Sequence, residues 1–271
     1  MDARSYLFVP GNRPERFAKA LASGADAVVF DLEDAVVDEA KRSARDAIAD
    51  WAASAPTGER ARIVVRINDA ASAHFADDLR LLRETALRDV MLPKAEADEP
   101  LAAVRAALPG ARLLPLIETA RGIARCEAVA LSTGVVRLVF GTLDFALDLD
   151  LDIAADHQPL GEAAARLVIA SRLAGLTPPV AGVTPQLDDA ARLRADFDWA
   201  RRRGFGAKLC IHPKQVTDVH AALAPNDADL DWARRVIAAE AASPGAARLD
   251  GRMVDRPVVL QAQRTLLRAG D

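Results

Sequence analysis

Eight short apolar runs punctuate the chain, at 5–9, 27–30, 62–67, 90–92, 112–117, 135–140, 178–183 and 207–211, and polar or charged residues follow each. Within them the apolar residues are almost continuous, as in Val28-Val29-Phe30 and Ile63-Val64-Val65. Such runs predict parallel strands, buried on one side by a common core and on the other by covering helices. Stretches of helical period separate most of them. Pro14 stands in the first turn of a helix at 14–23, and Asp38-Glu39 opens another. Gly24, Gly175 and Gly204 stand where helices should end before the next strand. Eight strand–helix repeats predict a (β/α)8 barrel, with chemistry where strands end and βα loops begin. Residues 144–158 read as a long, acidic, irregular loop after strand six. Beyond strand eight come helices at 214–223 and 228–241, a Pro/Gly-richer stretch at 243–256, and a last helix at 257–267. The expected division is a barrel over 1–224 and a helical extension over 225–271, serving as a lid or a subunit contact.

Composition narrows the classes without changing that picture. A chain of 271 residues, 51% of them hydrophobic, is filled by one barrel of about 250 residues. The net charge of −4 and the lack of a basic patch interleaved with aromatics argue against a nucleic-acid partner. No apolar run approaches the roughly 18 residues of a membrane span, and Met1-Asp2-Ala3-Arg4 leads into a strand without the pattern of a secretory leader. Cys126 and Cys210 lie on different elements with no metal spacing, which suits a reduced, cytoplasmic protein.

The strand ends carry the candidate chemistry. Glu118 and Asp144 follow neighbouring strands five and six, and two carboxylates converging at a barrel mouth suit Mg2+. Either could instead pair with an arginine. Asp31, Glu33 and Asp34 follow strand two, where they could order metal-bound waters or simply cap and solvate a loop. Arg66 closes strand three and could bind a substrate carboxylate or a developing oxyanion, or pair with Glu33 or Asp34. Lys94 follows strand four; a Schiff-base role would require a depressed pKa in an apolar site, and the metal-type acids favour a metal route. His212 precedes Pro213 and reads as a general base or a loop-organising group, while no catalysis is expected of His74, His157 or His220. The turn Gly11-Asn12-Arg13 lacks a G-x-G-x-x-G pattern but could offer backbone N–H groups to a phosphate.

Taken in order, these motifs strongly resemble the citrate lyase beta-subunit-like family, whose relatives include malyl-CoA and citramalyl-CoA lyases. That family belongs to the metal-dependent aldolases with phosphoenolpyruvate-mutase-like barrels. The resemblance rests on Phe8-Val9-Pro10-Gly11-Asn12-Arg13-Pro14, Phe30-Asp31-Leu32-Glu33-Asp34-Ala35-Val36, Val65-Arg66-Ile67-Asn68 and Leu92-Pro93-Lys94. It continues through Ile117-Glu118-Thr119, Gly141-Thr142-Leu143-Asp144, Ile211-His212-Pro213-Lys214-Gln215 and Asp250-Gly251-Arg252-Met253-Val254-Asp255. It implies that Glu118 and Asp144 hold Mg2+, or Mn2+ in its place, and that Arg66 contacts the substrate's acid or carbonyl oxygen. Glu33 and Asp34 would order metal waters, and Lys94 would contact substrate. Arg13 and Lys19 would lie near the thioester's nucleotide or carrier. Asp255 matches an acid that in relatives arrives on a lid from a neighbouring subunit and acts as acid/base. A homotrimer, or a hexamer built of two, is implied as well.

The activity so implied is Mg2+-dependent cleavage of a 3-hydroxy-3-carboxy acyl thioester, carried on CoA or an acyl carrier, into an acetyl thioester and a 2-keto acid. The same residues could run condensation with thioester hydrolysis, as in malate synthase, or a free-acid 4-hydroxy-2-keto acid aldolase reaction. A carrier-protein-dependent subunit of a larger lyase complex is the remaining alternative. Two departures bear on selectivity: Val180-Ala181-Gly182-Val183 has no acid where many relatives carry one. Gly141-Thr142-Leu143-Asp144 replaces the usual Gly-Ala-Glu-Asp.

Overall fold

All eight apolar runs form strands: β1 (Ser5–Pro10), β2 (Ala27–Asp31), β3 (Ile63–Arg66), β4 (Asp89–Leu92), β5 (Arg112–Ile117), β6 (Val139–Phe140), β7 (Val180–Ala181) and β8 (Ala207–Cys210). In the computed structural model, which describes residues 3–243, 245 and 247–269, they pair in parallel and in chain order. β1 pairs with both β2 and β8, which closes the barrel.

Strand parity explains the near-continuous apolar runs. Ala27 and Val29 of β2, Val64 of β3, Leu114 and Leu116 of β5 and Leu209 of β8 fill the barrel interior. The alternate residues face the helices. Phe30 stacks on Phe17 with ring centroids 4.0 Å apart and meets the edge of Trp51 at 4.9 Å. Those rings tie β2 to the helices Phe17–Leu21 and Lys41–Ser54. The expected helix ends are present, with positive φ at Gly24, Gly175 and Gly204.

The wall is thinnest at β6 and β7. They are two residues each, and their ladder has one register pair, Val139↔Val180. Side chains bridge this stretch to backbone oxygens. Arg137 Nε donates to Pro178 O (2.6 Å), Lys208 Nζ to Gly182 O (2.7 Å) and Gln215 Nε2 to Thr184 O (2.9 Å).

The loop after β6 departs from the sequence expectation. Residues 142–148 form a helix, Thr142–Asp148, because Thr142, Phe145 and Ala146 recur at helical spacing and bury one face. Phe145 packs on Phe140 at 5.5 Å. Irregular chain follows, up to a short 3-10 turn at Gln158–Leu160. Among the described residues no helix is long and apolar enough to cross a membrane.

Backbone contacts divide the chain into two units, Met1–Val219 and His220–Asp271. In the second, helices Asp227–Ala242 and Arg256–Ala269 pack around Ala233, Val236, Val254 and Ala262. The Pro/Gly-richer stretch between them holds a hairpin, β9 (Arg248–Leu249) and β10 (Arg252–Met253). Its turn is Asp250-Gly251, both with positive φ, the conformation that Asp-Gly hairpin turns adopt.

Candidate active site

Parity also selects which strand-end residues enter the barrel mouth. Two positions beyond Val29, Val64 and Leu116 stand Asp31, Arg66 and Glu118, on the same inward face. Asp31 and Arg66 are register partners on β2 and β3. Arg66 grips Asp31 with its fork, Nε to Oδ1 at 2.7 Å and Nη2 to Oδ2 at 2.6 Å. Its guanidinium also lies 4.8 Å over the Phe8 ring. Burial opposes the charged guanidinium, but Asp31, Glu33 and Asp34 hold its pKa above the ordinary arginine value. The sequence groups Asp31 with Glu33 and Asp34; the structure makes Asp31 the chief partner of Arg66.

Glu33 and Asp34 crowd the same arginine from the loop after β2. Glu33 Oε2 lies 2.8 Å from Arg66 Nη1 but lacks hydrogen-bond geometry, and it is a buried oxygen without a donor. Asp34 Oδ2 stands 3.4 Å from the same nitrogen and is largely exposed. Lys41, which the sequence reading overlooks, holds the loop from behind. Its buried Nζ donates to Leu32 O (2.9 Å) and Glu33 O (3.0 Å). The only signal for it in the sequence is a lysine opening the helix that follows the acidic turn.

Glu118 is buried beyond β5, and Gly141 makes room for it. A Cβ at position 141 would lie 2.5 Å from both Cβ and Oε2 of Glu118, so only glycine fits there. Glu118 Oε1 accepts the backbone N–H of Lys94 at 2.8 Å. Lys94 takes φ +48 to present it, a left-handed conformation uncommon outside glycine. The Lys94 side chain reaches Asp69 at 3.4 Å. Burial works against its charge, yet Asp69 and Glu33 raise its pKa, the opposite of what a Schiff-base lysine requires. Asp144, exposed, sits in the first turn of helix Thr142–Asp148, close enough for its charge to act on Glu118.

The mouth therefore gathers Arg66, Glu33, Asp34, Lys94, Glu118 and Asp144, together with Asp31. Five carboxylates face two cations, one of them already spent on Asp31. Burial, with Asp144 and Asp34 adding to it, pushes Glu118 up to about 7 against the Lys94 amide and Arg66. Burial likewise pushes Glu33 up to about 8, despite Arg66, with Asp34, Glu118 and Asp31 reinforcing it. Surplus buried carboxylate of this kind suits a hard divalent cation, which needs only one or two protein carboxylates and completes its shell with water and substrate oxygens. Among the described residues no three His, Cys, Asp or Glu converge as a full cage. The open donor pair of Glu118 and Asp144 fits Mg2+ in that sparing manner.

The remaining sequence candidates take other local roles. Gly11 N donates to Asp31 O at 2.8 Å, tying the β1 loop to the mouth, and Asn12 Oδ1 is buried without a partner. Arg13 is exposed and pairs with Glu15 at 2.6 Å; Lys19 is exposed on the next helix. His212 Nδ1 accepts the N–H of Lys214 at 3.2 Å, a loop-organising role. His157 is buried against Trp199 and Asp196, a packing position. Asp255 belongs to the second unit, where it is exposed and its Oδ1 caps helix Arg256–Ala269 through Val258 N at 3.2 Å.

Comparison with known proteins follows the same lines. The family model for the HpcH/HpaI aldolase/citrate lyase family matches residues 4–213. The chain belongs to that family. A citrate lyase subunit beta-like protein of Mycobacterium tuberculosis is 37% identical, covering 98% of this chain and 95% of the relative. A (3S)-malyl-CoA thioesterase of Cereibacter sphaeroides is 33% identical over 98% of this chain and 94% of its own. The crystal structure of CitE from Mycobacterium tuberculosis, in complex with magnesium, acetoacetate and coenzyme A, superposes with a TM-score of 0.89. It is 35% identical and covers 99% of this chain and 98% of its own. This family member is thus an enzyme of the citrate lyase beta type, a carbon–carbon lyase.

The raised Glu33 gives a stability prediction for the metal-free enzyme. Its folded pKa of about 8 exceeds its ordinary 4.5, so its contribution is fully present below 4.5 and is lost as pH rises through 8. Glu33→Gln should therefore gain on the order of a few kcal/mol over the native chain at pH 8 and no more than about 1 kcal/mol at pH 5. Urea denaturation at both pH values measures this; an equal difference at the two would refute it.

Proposed function

We propose that this enzyme cleaves a 3-hydroxy-3-carboxy acyl thioester, of the citryl-, malyl- or citramalyl-CoA type, into an acetyl thioester and a 2-keto acid, with Mg2+ bound by Glu118 and Asp144. The observation that carries this reading is Glu118, pushed up by burial and, to a lesser degree, by the charge of Asp144, at the mouth of the barrel. The magnesium-bound CitE structure, with acetoacetate and coenzyme A, supports the same cation and carrier. When bound, Mg2+ supplies Lewis acidity to the hydroxyl and carboxylate oxygens of the substrate.

The chain's own residues account for the rest. Arg66 is held rigidly by Asp31, and the N–H groups that Asp31 leaves unused can bind the keto-acid carboxylate or the enolate oxygen. Glu33 and Asp34 accept hydrogen bonds from waters at the mouth. The backbone N–H of Lys94 fixes one oxygen of Glu118, leaving Oε2 to the site. Asp255, supplied by a neighbouring copy of the chain, takes the hydroxyl proton as the bond between C2 and C3 breaks; the electron pair passes into the thioester enolate, and the same carboxyl returns a proton to C2. Arg13, Lys19 and the unpartnered Asn12 Oδ1 border the carrier arm of the thioester.

Asp255→Asn tests the acid/base role cleanly, because asparagine caps a helix as well as aspartate does. The expected result is a fall in kcat of about 10²-fold or more with Mg2+ affinity unchanged. An unchanged kcat removes Asp255 from the reaction.

The thioesterase relative favours a second reading, hydrolysis of the thioester by the same mouth. A Mg2+-dependent assay on malyl-, citramalyl- and citryl-CoA separates the two. Acetyl-CoA and a keto acid identify the lyase, free CoA and the intact hydroxy acid identify the thioesterase, and no EDTA-sensitive product refutes both. We further propose a cytoplasmic homotrimer. Its support is the pair of buried free thiols and the exposed Leu143, Leu147 and Leu149 beside Asp144, an apolar rim suited to a subunit contact. Light scattering in solution measures that state.

A further inference from the structure

The end of the barrel opposite the mouth carries a charge pattern that the lyase reaction does not use. Two adjoining hollows of about 730 and 570 Å3 open at the N-terminal ends of the strands. They share Ala61, Asp89 and Arg112 in their walls. Arg62 and Arg137 line the larger hollow, Arg60 and Arg88 the smaller. Two acids also line the larger one, and both are engaged: Asp26 with Arg4 at 2.9 Å, and Asp89 with the fork of Arg112.

The other four guanidiniums are tethered to backbone oxygens. Arg60 donates to Thr85 O (2.6 Å), Arg62 to Leu21 O and Ala25 O (3.0 and 2.6 Å), and Arg88 to Pro109 O (2.9 Å). Arg137 donates to Pro178 O and Ala3 O. A carbonyl satisfies a donor and orients the group but cancels no charge. Among the described residues none of these four has a carboxylate within ion-pair distance, on a chain whose net charge is −4. Guanidiniums fixed in advance bind carboxylate or phosphate oxygens at low ordering cost. The floor of the larger hollow is apolar, from Tyr6, Val64 and Leu114, and each hollow falls in the roughly 300–1,000 Å3 range of small-ligand sites.

We propose that this face is a second ligand site, for a small polyanion bearing two or more phosphate or carboxylate groups. Pyrophosphate and tricarballylate serve as probes, one for each anion chemistry, titrated by calorimetry into the full chain in metal-free, low-salt buffer. Without the cation the mouth is rich in carboxylate and repels both. Saturable binding of either probe, weakening as salt rises, is the expected result, and the probe that binds identifies the chemistry. Arg60→Gln/Arg88→Gln should lower the affinity about tenfold, while Arg13→Gln/Lys19→Gln at the other end leaves it unchanged. If the first pair fails to fold, Arg88→Glu, a replacement at an exposed position, takes its place with the same expectation. Binding of neither probe, or equal affinity in the native chain and the Arg60→Gln/Arg88→Gln or Arg88→Glu variant, overturns the proposal.

Discussion

Glu118→Gln should leave a folded barrel that no longer turns over. The amide has the shape of the carboxylate and can still accept the Lys94 N–H at 2.8 Å through its carbonyl oxygen. It cannot supply the anionic oxygen that a hard divalent cation requires. A Lewis-acid contribution of several kcal/mol corresponds to a loss of about three orders of magnitude or more in kcat. Calorimetry should show Mg2+ affinity lost along with activity. The metal-free variant should also be more stable than the native chain above pH 7, because the group that burial pushes up to about 7 is gone. Retained turnover with normal metal affinity would remove Glu118 from the metal site.

Arg66→Met is the second large effect, and it falls on the fold as well as on catalysis. The arginine neutralises a fully buried Asp31 through two hydrogen bonds and stands beside a buried Glu33. Removing one partner of such a pair leaves charge in a medium that solvates it poorly, at a typical cost of about 3–5 kcal/mol. Arg66→Lys recovers only part of this, since an ammonium cannot reproduce the fork that meets both Asp31 oxygens. Adding Asp31→Asn to Arg66→Met should restore much of the lost stability, because the uncompensated charge disappears with it. Denaturant unfolding of the two variants and the double variant measures each term. A loss under about 1 kcal/mol for Arg66→Met would show that the pair contributes little.

Much of the barrel is legible in the sequence because a parallel strand buried on both sides has no polar position to hide it. All eight runs become strands, and glycines with positive φ end helices where the chain composition indicates. The helix Thr142–Asp148 is not legible in the same way, since its acids suggest loop while Phe145 and Ala146 bury against the barrel. The Asp250-Gly251 hairpin has a local signal, an Asp-Gly pair, inside a stretch whose composition suggests only loop. In the site, residue types at strand ends point to Glu118, Asp144 and Arg66, but they do not say who pairs with whom. Counting by twos from Val29 and Val64 assigns Asp31 and Arg66 to one inward row, and that step is available from sequence alone. Lys41 is a different matter, because a side chain that reaches backbone oxygens of Leu32 and Glu33 follows no periodic rule. The raised Glu33 and Glu118 are likewise properties of burial and convergence, which only the folded mouth creates.

The short β6 and β7 give the barrel a seam. From β8 through β1 to β5 each ladder runs over three to five register pairs and the ladders flanking the seam over two, whereas here one pair and a few long side chains close the circle. Such a closure opens at lower cost than a full ladder, so amide hydrogens near Val139 and Val180 should exchange earlier than those of β2 and β3. Helix Thr142–Asp148, which carries Asp144, springs from this seam, while Asp31 and Arg66 stand on the firmer side. In the proposed reaction a substrate would lie between the Arg66 guanidinium, fixed by Asp31, and an Asp144 carried on a helix that rises from the seam.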